Sequence, residues 1–262
     1  MVSNNFIGSG NFEKHSPTLP LGGGGANLDD LISISRFYGK DSRFVIAGGG
    51  NTSYKNQKKI WVKASGYPLA TITEDGFAVL NRALLRYMSE KEYSNDPTER
   101  EEQVKNDLAT ATITKDKRPS VETSMHNVIE YAFVVHLHPT LVNGLMCSQN
   151  AEKELTNLFG EKLIYIEYTD PGYVLFKKVD ERIKEYRQRF SEEPQVIWLQ
   201  NHGIFVAADT IDEIKSIYDS IFTKLENAIK TPIPTGERAT CGCTEEILPA
   251  LRMMVSTENL KT

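Results

Sequence analysis

Leu31, Ile34 and Phe37 recur at helical spacing, with Asn27 placed to cap a helix and Gly39 to end it. The apolar run Phe44-Val45-Ile46-Ala47 predicts a short buried strand running into Gly48-Gly49-Gly50-Asn51. Ile60 to Lys63 predicts a second strand, Asp75-Gly76 a turn, and Asn81 to Glu90 a helix. Asp96-Pro97 opens another helix, charged on one face. Pro119-Ser120 opens the next, which runs to about Tyr131 with Ser120 as candidate N-cap. Ala132 to His138, Lys162 to Tyr168, Gln195 to Gln200 and Ile204 to Ala207 read as strands. Helical stretches reach Gly160 and run from Pro171-Gly172 to about Phe190. A long amphipathic helix spans Asp209 to Lys230, and a last one Thr244 to Val255. Strands and helices alternate without repeat or linker. The expectation is one α/β domain over residues 28–262, preceded by a flexible Gly-, Ser- and Asn-rich arm at 1–27.

Composition narrows the function classes. Hydrophobic content of 40% and charged content of 25% suit a soluble globular domain. A net charge of -5 excludes a general nucleic-acid binder, which needs a basic face against phosphates. No apolar run approaches the ~20 residues that span a bilayer, and Met1 to Asn11 lacks the apolar centre of a signal peptide. The three cysteines, Cys147, Cys241 and Cys243, form no disulfide framework, so a cytoplasmic location is expected. Cys241 and Cys243 have no second Cys or His pair nearby to complete a metal clip.

Chemistry concentrates in the histidines. In Val134-Val135-His136-Leu137-His138-Pro139, residues two apart share one strand face, ~6.6 Å apart along it. Two imidazoles so spaced can converge on one ion. His202, in Asn201-His202-Gly203, follows another apolar strand. A lone histidine at a strand end is usually structural. His-x-His with a third histidine at a strand break instead describes a catalytic zinc with an open fourth position.

Glu122 sits in the first turn of the helix before the His-x-His strand, where it can be a fourth ligand or a general base. His126, four residues on, shares its helix face and is a supporting group, not a ligand. Gly48 to Asn51 offers unhindered backbone N–H groups for an anion but lacks both the dinucleotide fingerprint and the P-loop Lys-Ser/Thr. Ser65-Gly66 and Ser120 supply further donors of the same kind.

Taken in order, Gly-Gly-Asn-x-Ser, Ser-Gly, Pro-Ser-x-Glu, His-x-His-Pro and Asn-His-Gly resemble the class II aldolase/adducin-head family, roughly from Leu31 to Lys230. That family includes zinc-dependent fuculose-phosphate and rhamnulose-phosphate aldolases and ribulose-phosphate 4-epimerase. Asn51 through Gly66, with Leu248-Pro249-Ala250-Leu251-Arg252, look most like the branch in which an aldolase half is fused to a short-chain dehydrogenase. The expectation is the aldolase half alone.

The resemblance implies a three-layer αβα sandwich around a largely antiparallel sheet. It implies Zn²⁺ on His136, His138 and His202, and acid/base catalysis by Glu122. The phosphate pocket of a small phosphorylated sugar falls on Gly50, Asn51, Ser65, Gly66 and Ser120. Val121 stands where many aldolases carry a second serine, so one phosphate donor is missing. Tyr168 matches a tyrosine that reaches into a neighbour's site, which implies a homotetramer with shared active sites.

The reaction so implied is retro-aldol cleavage of a ketose phosphate to dihydroxyacetone phosphate and an aldehyde. A 4-epimerase would have Asp at the place of Glu122. A dehydratase or decarboxylase would use the same metal. A non-catalytic adducin-like interaction module would lack the histidines.

Overall fold

The computed structural model describes residues 25–229. The chain divides into two compact units, Met1–Asn227 and Ala228–Thr262, and the description below concerns the first. The expected arm before Gly25, the expected helix at Thr244 to Val255, and Cys241 and Cys243 lie outside the described residues.

Seven strands form one sheet: β1 (Asn51–Lys55), β2 (Lys59–Lys63), β3 (Phe77–Asn81), β4 (Phe133–Leu137), β5 (Ile164–Ile166), β6 (Val196–Leu199) and β7 (Gly203–Ala208). Their order is β3-β2-β1-β4-β7-β6-β5, and every pair is antiparallel except β5 with β6. The helices are α1 (Gly25–Gly39), α2 (Arg82–Glu90), α3 (Pro97–Ala111), α4 (Thr123–Val128), α5 (Thr140–Met146), α6 (Ala151–Phe159), α7 (Tyr173–Phe190) and α8 (Ile211–Ala228).

Alternation along the strands builds the layers. Phe133, Val135 and Leu137 of β4, with Ile204 and Val206 of β7, face a core shared with Leu31 and Ile34 of α1 and Tyr218 and Ile221 of α8. Val134, Phe205 and Ala207 face the other way, onto Met125 of α4 and Val179 and Ile183 of α7. Ile60, Val62, Ala78 and Leu80 pack against Leu85 of α2 and Leu108 of α3. The result is a mixed α/β fold with one seven-stranded sheet flanked by helices.

Several boundaries differ from the sequence expectation. Phe44 to Ala47 is not a strand. The chain turns there through bonds from the Phe44 and Val45 N–H groups to the Asp41 carbonyl, and Ala47 adopts φ 55°. Phe44 instead plugs the core, stacked on Phe222 at 4.5 Å between ring centroids. The strand begins only at Asn51, after the glycines. Phe77–Asn81 is a strand that the sequence reading passed over, and Asn81 caps α2 by accepting from the Ala83 and Leu84 N–H groups. Asn27 lies inside α1, not at its cap. The helix expected from Ser120 to Tyr131 shortens to Thr123–Val128, and its N-cap position is Glu122.

Candidate metal centre

Sheet register assembles the site. Asn51 of β1 pairs with His136 of β4, which pairs with Phe205 of β7, so the three share one row on one face. His136 is fully buried there and stacks on Phe205 at 4.1 Å between centroids. Pro139 ends β4 just beyond His138. His202 lies on the turn between β6 and β7, where Asn201 takes φ 56° and the Asn143 side chain donates to the His202 carbonyl. Gly203 makes the approach of that turn possible. A Cβ there would lie 2.4 Å from the Leu137 carbonyl oxygen and 2.7 Å from the His138 ring.

The three imidazoles converge, and one ligand nitrogen from each lies within 4.8 Å of the others. His136 Nδ1 faces the Ile204 carbonyl at 3.1 Å. A carbonyl can only accept, so Nδ1 carries a proton and Nε2 is the nitrogen turned inward. His138 Nε2 stands 2.9 Å from that Nε2. Burial, and then His136 and His202 as neighbours, lower the His138 pKa from 6.5 to about 4, which keeps it a neutral donor at physiological pH. Facing lone pairs repel unless a proton or cation lies between them. Three imidazoles so arranged fit a divalent cation. Among the described residues this is the cluster of metal-binding character.

Glu122 joins the cluster. Its Oε1 lies 3.3 Å from His136 Nε2 and 3.2 Å from His202 Nε2. Burial alone would push this carboxyl up, but the two imidazoles beside it hold it well below the usual carboxylate range. Its other oxygen accepts from the Asn51 amide. Asn51 Oδ1 meets His126 Nε2, and His126 Nδ1 meets Ser53 Oγ at 2.8 Å. His126 is fully buried; its ring reaches the Glu122 carboxylate through Asn51, and its backbone N–H donates to the Glu122 carbonyl at 3.1 Å. The parts played by Asn51 and Ser53 were missed in the sequence, although their spacing of two on one strand is the signal that places them on one face.

The expected phosphate residues come together in part. The Ser65 N–H donates to the Arg118 carbonyl, and Ala64 bridges to Pro119, so Ser65-Gly66 lies beside the approach to Ser120. Asn51 Nδ2 reaches Ser120 Oγ at 3.4 Å. Gly50 takes φ 74°, and a Cβ there would lie 3.0 Å from the His136 carbonyl oxygen. The Asn51 carboxamide itself is engaged on all sides. Tyr168 stands apart, 58% exposed, and its hydroxyl donates to Asp170 at 3.0 Å. Among the described residues no helix is long and apolar enough to cross a membrane.

Residues 29–221 match the family described as the Class II Aldolase and Adducin N-terminal domain. The uncharacterized oxidoreductase YuxG of Bacillus subtilis is 26% identical over 230 residues, which take in 84% of this chain and 31% of that relative. This chain therefore corresponds to about a third of that protein. The structure of the N-terminal class II aldolase domain of a conserved Thermoplasma acidophilum protein superposes with a TM-score of 0.66. It is 24% identical and covers 79% of this chain and 96% of that one. A sugar-phosphate aldolase from Thermotoga maritima superposes with a TM-score of 0.51 at 14% identity, over 80% of this chain and 98% of that one. These superpositions match the fold.

Proposed function

The chain belongs to the class II aldolase and adducin N-terminal domain family, and we propose that it is a zinc-dependent aldolase that cleaves a ketose phosphate. The observation that carries this reading is the convergence of three imidazoles beside a buried carboxylate. An interaction module has no use for such a cluster. His136, His138 and His202 would hold the cation, which would supply Lewis acidity toward the ketose.

The chain's own groups do the rest. In the cleavage, the bond between the third and fourth sugar carbons breaks. The fourth-carbon hydroxyl loses its proton as it becomes the aldehyde, and the third carbon gains one. Glu122 delivers and removes the proton at that third carbon, since among the described residues it is the one buried carboxylate in contact with the imidazole cluster. The phosphate falls to Ser65, Gly66 and Ser120, neighbours through the Ala64–Pro119 bridge, and to the backbone at Gly50, so that its binding would position the reacting bond.

Ketose 1-phosphates should release dihydroxyacetone phosphate, and the corresponding free sugars should show a far lower kcat/KM. A panel of both, assayed for the three-carbon fragment, checks this. Conversion to an epimeric sugar phosphate without fragments would replace the aldolase reading by the epimerase one. Equal efficiency with free sugars would remove the phosphate pocket.

Tyr168 enters as the group that handles the departing hydroxyl in a neighbour's site. Its exposure and its place after β5 leave it free to cross an interface in a homotetramer. Mixing Tyr168→Phe chains with His202→Ala chains should then restore part of the activity that each lacks alone. Verified mixed oligomers as inactive as their parents would count against a shared site.

A further inference from the structure

Behind Glu122 lies a chain of buried polar groups that admits one arrangement. Asn51, Ser53 and His126 are all buried, His126 and Ser53 completely. Glu122 Oε2 is a carboxylate oxygen, so what faces it must donate. That requirement puts the Asn51 Nδ2–H₂ group toward Glu122 and Oδ1 toward His126. The reverse orientation would set a carbonyl oxygen against a carboxylate oxygen away from water. Oδ1 can only accept, so His126 Nε2 must carry the ring proton. Nδ1 is then the acceptor, and Ser53 Oγ, 2.8 Å away, donates to it. Burial, the largest influence on this imidazole, lowers its pKa well below the ordinary value and keeps one proton on the ring. Each link therefore fixes the next.

We propose that His126 and Asn51 are positioning residues that hold Glu122 by one oxygen, through the chain Ser53–His126–Asn51–Glu122, leaving its other oxygen for the metal centre. The proposal rests on the aldolase reading for its kinetic consequence but not for its geometry. It also reassigns Asn51. Its second N–H points to Ser120 Oγ at 3.4 Å and its oxygen to His126, so the carboxamide serves Glu122 and not a phosphate. The rigidity has a plain source. Asn51 stands on β1 between β2 and β4, and His126 is wedged edge-on against Phe205 at 5.3 Å between centroids. A carboxylate held by one oxygen on such a frame cannot rotate, so its free oxygen keeps one direction toward the reacting carbon.

The test uses the full chain loaded with zinc. Long-range ¹H–¹⁵N correlation spectra of ¹⁵N-histidine protein should show His126 as the Nε2–H tautomer, with Nδ1 unprotonated. His126→Phe keeps the ring but removes both polar atoms. It should keep stoichiometric zinc and a near-normal KM while kcat falls by roughly 10–100-fold, the usual cost of removing such a supporting partner. His126→Gln, whose amide N–H can replace Nε2–H toward Asn51, should recover most of that loss. Ser53→Ala, a smaller change should the phenylalanine variant fail to fold, should raise the share of the Nδ1–H tautomer and lower kcat by a few-fold.

An Nδ1–H tautomer in the wild-type protein overturns the proposal. So does an unchanged kcat in His126→Phe, or equal impairment in the Phe and Gln variants. An inactive wild-type protein with the Nε2–H tautomer would defeat the aldolase reading and not the chain of bonds. An active protein with the Nδ1–H tautomer would do the reverse.

Discussion

Replacing His136 with alanine should abolish metal binding and turnover together. His136 is the ligand with the least freedom: fully buried, stacked on Phe205, and held at Nδ1 by the Ile204 carbonyl. Without it, His138 and His202 form an open two-imidazole site, too weak to keep a catalytic cation at ordinary concentrations. The loss should exceed the roughly 10–100-fold that removal of an outer partner costs. Metal analysis of the dialysed variant, paired with the fragment assay, checks both halves. Because the alanine also leaves a cavity against Phe205, thermal unfolding of the metal-free variant belongs with the measurement. His138→Ala, at a less buried position, should match the metal loss with a smaller stability cost. Stoichiometric zinc and undiminished activity in His136→Ala would remove the metal centre from the reading.

Much of the site was legible because its spacing is short and its partners are local in sequence. His136 and His138 share a strand face by the period of two, and Pro139 marks where the strand must end. Asn201-His202-Gly203 announced a break between two apolar runs, and the structure places a tight turn there. Glu122 before the His-x-His strand was readable only as a candidate, because a carboxylate at a helix start is more often a charge at that terminus; the structure brings it to His136 and His202. Long-range register was not readable. Nothing near Asn51 says that it pairs with His136, 85 positions later, and the antiparallel order that brings β1 beside β4 is a property of the whole sheet. The resemblance gave Asn51 a phosphate role, and the register adds its contact with Glu122.

The two misread elements have opposite causes. Phe44 to Ala47 has a strand's composition, but Phe44 packs into the aromatic cluster of Tyr38, Tyr218 and Phe222, and the backbone forms turns. Apolar content reports burial, not the conformation that achieves it. Phe77–Asn81 was passed over for the opposite reason. Asp75-Gly76 and the helix at Arg82 stand so close on either side that the five residues between them look like a connection. Their pairing with Lys59–Lys63 makes them the edge of the sheet.

Glu122→Gln should separate metal binding from chemistry. Three imidazoles remain to hold the cation, so zinc content should stay near stoichiometric. Glutamine fills nearly the same volume, and its amide oxygen can take the Asn51 hydrogen bond that Glu122 Oε2 now accepts. What it cannot do is take up a proton from carbon or return one. Turnover should therefore fall by something like 10²–10⁴-fold, the range general acid–base groups supply. The half-reaction isolates the role. With dihydroxyacetone phosphate alone in D₂O, the wild-type enzyme should exchange the carbon-bound proton at the reacting position, a step that needs no aldehyde. Glu122→Gln should lose this exchange in proportion to cleavage, because one carboxylate performs both transfers. If exchange persists at the wild-type rate while cleavage is lost, another group handles the carbon proton and Glu122 acts only on the departing hydroxyl. If both persist, the buried carboxylate beside His136 and His202 is a structural counter-charge, and the acid/base role falls to a residue outside the imidazole cluster.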